Sequence, residues 1–132
     1  MTEAIDFRKC FSRLGMLTVL AVFLLLFGFG STSASANTAV PPWDKLVHFG
    51  VFSVLTFGLR AWLARLPWHV IMLLAISIGA ADELHQYYVP GRYPGWDDLA
   101  ADTAGAVFAC LLWPVFERLV RRCISASGLP PG

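Results

Sequence analysis

Polar side chains that could do chemistry fall in three short stretches of an otherwise hydrophobic sequence. The stretches are Asp44-Lys45-Leu46-Val47-His48, Asp82-Glu83-Leu84-His85-Gln86, and the segment from Pro90-Gly91-Arg92 through Asp98 to Asp102. Carboxylates and histidines are common general acids and bases, arginine binds phosphate or carboxylate groups, and carboxylates and histidines both bind metal ions. The three stretches therefore predict a polar site, provided that the fold brings them together.

Glu83 and His48 are the candidates for catalytic acid/base chemistry. Glu83 follows the apolar run 76–81, so its carboxyl group should be partly desolvated, a setting that suits a general acid or base. His48 is four residues after Asp44 and shares a helix face with it. Both candidates also have a structural interpretation. Glu83 would form a salt bridge with Arg92 or Lys45, and His48 would be hydrogen-bonded to Asp44 or to a carboxylate of the following helix.

The other polar residues of these stretches are candidates for binding a substrate or ligand. Arg92 follows a tight Pro-Gly turn, and its guanidinium could hold a phosphate or a carboxylate in bidentate fashion. The structural alternative for Arg92 is a salt bridge to Asp97, Asp98 or Glu83. Asp98, Asp102 and Gly105 form one stripe of a helix, and Asp44 and Asp98 are also candidate helix caps. The binding candidates are Arg92, Lys45, Asp44, Asp82, His85, Gln86, Asp98 and Asp102.

A metal ion is an alternative occupant for the same residues. His48, His85 and two carboxylates would suit zinc or manganese by ligand type. Glu83 and His85 are only two residues apart, however, and side chains at that spacing diverge on a helix. The sequence therefore predicts neither a metal ion nor another cofactor.

Four hydrophobic segments must position the polar stretches. They run from Leu14 to about Gly30, from Leu46 to about Leu66, from Pro67 to about Leu84 and from Leu99 to about Phe116. Hydrophobic residues make up 57% of the chain and charged residues 14%, against about 45–50% and about 25% in soluble domains. This composition excludes disorder, and the net charge of +1 argues against a nucleic-acid partner. The pattern predicts an all-α integral membrane protein, a bundle of four transmembrane helices.

Positive charge predicts the orientation of this bundle. With the N-terminus in the cytoplasm, every Lys and Arg except Lys45 and Arg92 lies inside, as the positive-inside rule requires. Both termini are then cytoplasmic. The three polar stretches, although far apart in sequence, come together at the outer ends of the second, third and fourth helices.

The predicted organisation has five parts. They are a cytoplasmic segment 1–13, a first transmembrane helix 14–30, an outer loop 31–43, a three-helix core 44–117 and a basic, partly disordered cytoplasmic tail 118–132. The first helix has an alternative, because its basic start and the run Ser33 to Ala36 are typical of a signal peptide cleaved after Ala36. Its apolar run of about 17 residues exceeds the usual 7–15 of a signal peptide, so we expect a retained helix.

The polar stretches resemble the motifs of the VanZ-like family of small bacterial membrane proteins. The family pattern is Asp-Lys-x-x-His-Phe at a helix start, then Asp-Glu-x-His-Gln, a Pro-Gly-Arg-type loop and Asp-x-x-x-Asn/Asp-x-x-Gly. The matching residues are Asp44, Lys45, His48 and Phe49; Asp82, Glu83, His85 and Gln86; Pro90, Gly91 and Arg92; and Asp98, Asp102 and Gly105. The resemblance covers about Asp44 to Leu112. Asp102 stands where many members carry Asn.

This resemblance implies a multi-pass protein of the bacterial cytoplasmic (inner) membrane. The name-giving member is linked to resistance to the glycopeptide antibiotic teicoplanin, and the biochemical activity of the family is not established. We therefore expect a protein that modulates the cell envelope or its antibiotic susceptibility, with a lipid-linked or peptidoglycan-derived ligand at the outer face. Two alternatives stay open: a membrane enzyme that uses Glu83 and His48, and a structural or accessory subunit.

Overall fold

The described chain is entirely helical. A computed structural model describes residues 7–32 and 42–126, and no β-strand occurs in these two ranges. Its long helices are α1 (Phe7–Phe23), α2 (Trp43–Trp62), α3 (Trp68–Gln86) and α4 (Trp96–Ala126). After α1 the chain continues through a π-helical stretch, Leu24–Gly28, and a 3-10 turn, Phe29–Ser31. The prediction of an all-α protein is confirmed.

Two helices extend beyond the hydrophobic segments from which they were predicted. α1 begins at Phe7, inside the predicted segment 1–13, and α4 continues past Phe116 to Ala126, into the predicted tail. Within this extension, Glu117 and Arg121 form an exposed ion pair of 2.7 Å at helical spacing, which gives the helix a small local stabilisation. The predicted alternative cleavage position after Ala36 and the last part of the tail lie outside the described residues.

The hydrophobic core lies where α2, α3 and α4 meet. Phe52 and Leu55 of α2, Ile71 of α3 and Ala106 of α4 are all 0% exposed. α1 packs against α2 and adds Val19 and Val22 to the same core. The first helix is thus an integrated part of the packed bundle.

Small residues let α2 approach its neighbours closely. A Cβ atom on Gly105 of α4 would overlap the carbonyl oxygen of Phe49 in α2. On the other side of α2, a Cβ atom on Gly15 of α1 would lie 2.6 Å from the backbone nitrogen of Trp62. Such small-residue contacts are typical of helices that pack in membranes.

Apolar side chains cover the outside of the bundle, and several polar side chains are buried inside it. Leu14, Val54, Leu73 and Leu111 are among many large hydrophobic residues that are exposed. Thr56 and four other polar residues are buried. This distribution suits a lipid environment, since lipid solvates apolar side chains and excludes polar ones.

Two helical stretches are long and apolar enough to cross a membrane. They are Arg8–Ser31 and Trp96–Cys123, which correspond to the predicted first and fourth spans. α2 and α3, which carry most of the polar stretches, are not among these stretches in the described part of the chain. The described structure therefore supports a membrane protein with at least two candidate spans.

The contact at Gly105 provides a test of the α2–α4 packing. We expect Gly105→Ala to lower the free energy of unfolding by about 1–3 kcal/mol, because the added methyl group must push α4 away from the α2 backbone. Gly50→Ala is the matched control, since a Cβ atom there meets nothing within 4 Å. Thermal unfolding in detergent measures both variants. Equal stability of the two would contradict the packing described here.

Candidate functional site

The three polar stretches meet at one end of the bundle. The start of α2, the end of α3, the loop after α3 and the start of α4 are joined there by hydrogen bonds and ion pairs. We call this group the polar cluster. Its members are Asp44, Lys45, His48, Asp82, Glu83, Gln86, Arg92, Asp97, Asp98 and Asp102.

Lys45 holds three carboxylates at the rim of the polar cluster. Its Nζ atom lies 3.0 Å from Oδ2 of Asp44 and 2.8 Å from Oδ2 of Asp97, and it also contacts Oδ1 of Asp98. Burial opposes the charge of Lys45, but the hydrogen bonds to Asp97 and Asp98 outweigh it and raise its pKa. The hydrogen bond from Lys45 lowers the pKa of Asp44. Lys45, predicted to bind a ligand, is thus already occupied by acidic partners.

Asp44 and Asp98 lie inside the first turns of their helices and are not the capping residues. α2 begins at Trp43 after Pro42, which makes no side-chain cap, and α4 begins at Trp96. The carboxylate of Asp44 instead accepts a hydrogen bond of 2.9 Å from the backbone N–H of Lys45. A negative charge in a first helical turn is favoured by the helix dipole. The two carboxylates still stabilise the helix starts, from inside the helices.

His48 is held by Asp102, which reaches it from α4. The distance from Nδ1 of His48 to Oδ1 of Asp102 is 2.9 Å, and Asp102 is 1% exposed. This partner was not among those predicted for His48. Oδ2 of Asp102 is buried without a hydrogen-bond partner, and it faces Gly79, where a Cβ atom would lie 3.1 Å away. When the carboxylate of Asp102 accepts the Nδ1 proton, a neutral His48 has its lone pair on Nε2.

The two acids of α3 are both directed into the cluster. Asp82 is 2% exposed, and its Oδ2 accepts a hydrogen bond of 2.8 Å from Nε2 of Gln86, one turn later. Oε2 of Glu83 accepts a hydrogen bond of 2.9 Å from the backbone N–H of Gly95. Oε1 of Glu83 is buried and has no hydrogen-bond partner. The loop contact of Glu83 had no signal in the sequence, because a backbone donor can come from any residue.

His85 lies apart from the other candidates. Its Nε2 atom is 3.1 Å from the hydroxyl of Ser31, and its ring centroid is 5.2 Å from that of Phe27. His85 thus packs against the segment that follows α1, while Glu83 is directed toward α2 and α4. The divergence of Glu83 and His85 agrees with their spacing of two residues on a helix.

Arg92 closes a tight turn between α3 and α4. Its backbone N–H donates to the carbonyl of Val89 at 3.1 Å, with Pro90 and Gly91 at the two central positions. Gly91 has a φ angle of 84°, which a type II turn requires at that position and glycine adopts freely. The Nε atom of Arg92 is buried without a hydrogen-bond partner. Its guanidinium forms no ion pair with any residue of 7–32 or 42–126.

Together, the fold and the site define a helical membrane protein with acidic and histidine side chains gathered at one end of its bundle. The sequence model of the VanZ/LLP1 family matches residues 7–117, most of the chain. The protein belongs to this family, as the three motifs predicted. No curated protein and no solved structure matches the chain significantly.

The carboxylates around Lys45 provide a matched pair for mutation. The side chain of Asp98 is 11% exposed, whereas the side chain of Asp97 is 68% exposed. We expect Asp98→Asn to lower the free energy of unfolding by about 1–3 kcal/mol, because it weakens a charged hydrogen bond shielded from water. Asp97→Asn should cost less than about 1 kcal/mol. Chemical denaturation in mixed micelles compares the two, and a larger loss for Asp97→Asn would refute this ranking.

Proposed function

We propose that this protein modulates the bacterial cell envelope, and its susceptibility to glycopeptide antibiotics, by binding an anionic envelope group at the polar cluster. The observation that carries the proposal is that the Nε atom of Arg92 is buried without a hydrogen-bond partner in the described part of the chain. Its guanidinium has no ion-pair partner among the described residues, although it is close enough to the buried Asp82 for their charges to attract. A guanidinium so placed is suited to bidentate binding of a phosphate or a carboxylate.

The ligand class follows from this chemistry. Lipid-linked cell-wall precursors carry a pyrophosphate, and peptidoglycan stem peptides carry carboxylates. Either group would neutralise Arg92 at the edge of the cluster, where neighbouring carboxylates restrict which anions can approach. In this proposal Arg92 is the main binding residue, because its guanidinium has no ion pair among the described residues. Lys45 has the lesser part of holding the rim in place, because it already contacts three acids.

The proposed topology places the polar cluster at the outer face of the cytoplasmic membrane. In it, all four helices cross the bilayer and both termini are cytoplasmic. Exposed apolar side chains on α2 and α3, such as Val54 and Leu73, support spans beyond α1 and α4. The burial of Val19 and Val22 in the core supports retention of α1 in the mature protein.

A second candidate function is acid/base catalysis on a lipid-linked envelope substrate. The specific observation in its favour is that Oε1 of Glu83 is buried without a hydrogen-bond partner, beside a histidine that Asp102 orients. In such an arrangement Glu83 would transfer a proton and His48 would act as its partner base or acid. A third possibility is that the polar cluster only fixes the helices in register.

Teicoplanin susceptibility in a sensitive Gram-positive host separates these functions. We expect expression of the wild-type protein to raise the inhibitory concentration and Arg92→Gln to abolish this rise at a normal membrane level. Arg65→Gln is the matched control, because it removes the same charge from an exposed residue outside the polar cluster. Binding of a purified lipid-linked precursor should weaken with salt in the wild type and be lost in Arg92→Gln.

Other results would assign the site differently. Loss of protection in Glu83→Gln, with precursor binding intact, would favour the enzyme. Loss of all variants from the membrane would favour a structural cluster. A wild-type protein that neither protects the host nor binds the precursor would overturn the proposed function.

A further inference from the structure

We propose that His48, Asp82 and Glu83 form a binding site for one divalent transition-metal ion, with Asp102 as the residue that positions His48. A ring nitrogen of His48 and one carboxylate oxygen from each acid lie within 4.8 Å of one another. A bound metal ion was not predicted from the sequence. The metal alternative considered there combined His48 and His85 with two carboxylates, whereas the present site does not include His85. The site goes beyond the proposed function, because it needs neither Arg92 nor an envelope ligand.

The geometry needs only a small contraction to hold an ion. Zinc binds nitrogen and oxygen at about 2.0–2.2 Å, which puts tetrahedral ligands roughly 3.4 Å apart. Rotation of the carboxylates of Asp82 and Glu83 can supply the difference from 4.8 Å without a change in the helices. The three ligands come from two helices, α2 and α3, which the core already packs together. Three protein ligands also leave a fourth position for water or for an oxygen of a ligand.

His48 is prepared to be a ligand by the residue behind it. Its Nδ1 atom is bonded to Asp102 at 2.9 Å, so Nε2 keeps the lone pair that a metal ion needs. A carboxylate behind the ligating histidine is a recurrent feature of metal sites, since it fixes the ring and increases its basicity. The nearly complete burial of Asp102 protects this hydrogen bond from competition by water.

The charges of the buried acids provide an independent argument. Asp82 is 2% exposed, yet neither Asp82 nor Glu83 forms an ion pair with a Lys or Arg among the described residues. Oε1 of Glu83 and Oδ2 of Asp102 are buried without hydrogen-bond partners. Buried charge without compensation is expensive in an apolar bundle. Arg92 attracts Asp82 without forming an ion pair, and a divalent cation between the acids would add positive charge in direct contact and bind the free oxygen of Glu83.

The donor set indicates the kind of metal. One imidazole with two carboxylates suits zinc or manganese, whereas calcium and magnesium prefer oxygen ligands alone. No cysteine belongs to the group. We therefore use Zn²⁺ as the probe ion. X-ray absorption by the bound ion distinguishes nitrogen and oxygen ligands at this site from adventitious binding by thiols.

Calorimetric titration of the purified full-length protein with Zn²⁺ tests the proposal. The protein is treated with chelator in detergent and carries no histidine tag. We expect one ion per chain in the wild type. Asp102→Leu should weaken binding about 10–100-fold, because it removes the positioning acceptor and keeps the branched outline of the side chain. Glu83→Gln and Asp82→Asn, which remove ligands, should weaken it further. Glu117→Gln and His69→Ala, outside the cluster, should bind as the wild type does.

X-ray absorption of the zinc-loaded wild type identifies the atoms bound to the ion. It needs no variant, so the proposal can still be tested if a variant does not fold. We expect only nitrogen and oxygen neighbours, with the scattering pattern of one imidazole. Sulfur neighbours, no stoichiometric binding, or equal affinity in folded Glu83→Gln would overturn the metal site. The titration requires no envelope ligand, so such a failure would leave the proposed function of Arg92 untouched.

Discussion

A carboxylate buried in an apolar bundle must find a hydrogen-bond donor, and Asp102 of α4 finds it in His48 of α2. This pairing constrains the rotation and the axial position of the two helices relative to each other. One turn further along α4, Gly105 allows the α2 backbone to approach, which is possible only in that same register. The hydrogen bond between Asp102 and His48 and the close backbone contact at Gly105 therefore favour the same arrangement of α2 and α4.

The rest of the polar cluster builds outward from this pair. The end of α3 packs beside it, and Gly79 leaves room for the second oxygen of Asp102. The Pro-Gly turn then brings the chain back, so that the N–H of Gly95 reaches Glu83. The order from core to rim is thus apolar packing, buried acids with histidine, and finally the partly buried ion pairs of Lys45. The side chains become less buried along this order. A ligand that approaches from the rim therefore meets the ion pairs of Lys45 before it meets the buried acids and His48.

Much of this arrangement could be predicted from the sequence. Apolar segments of membrane length and polar residues at their ends are enough to place three distant stretches at one end of a bundle. The partner of each side chain could not be predicted, because helix rotation is set by packing between helices. His48 therefore paired with an acid that spacing did not single out. The full length of α4 was also missed, since charged residues begin at Glu117 and the segment from residue 118 was interpreted as a tail.

The length of α4 has a mechanical consequence. Its 31 residues form a rod of about 46 Å, longer than a hydrocarbon core of about 30 Å. As a membrane span such a rod would have to tilt or protrude, and Pro114 is where it can bend, because proline cannot donate to the preceding turn. A bend at that point would change the direction of residues 115–126 and leave the half of α4 that carries Asp102 packed against α2.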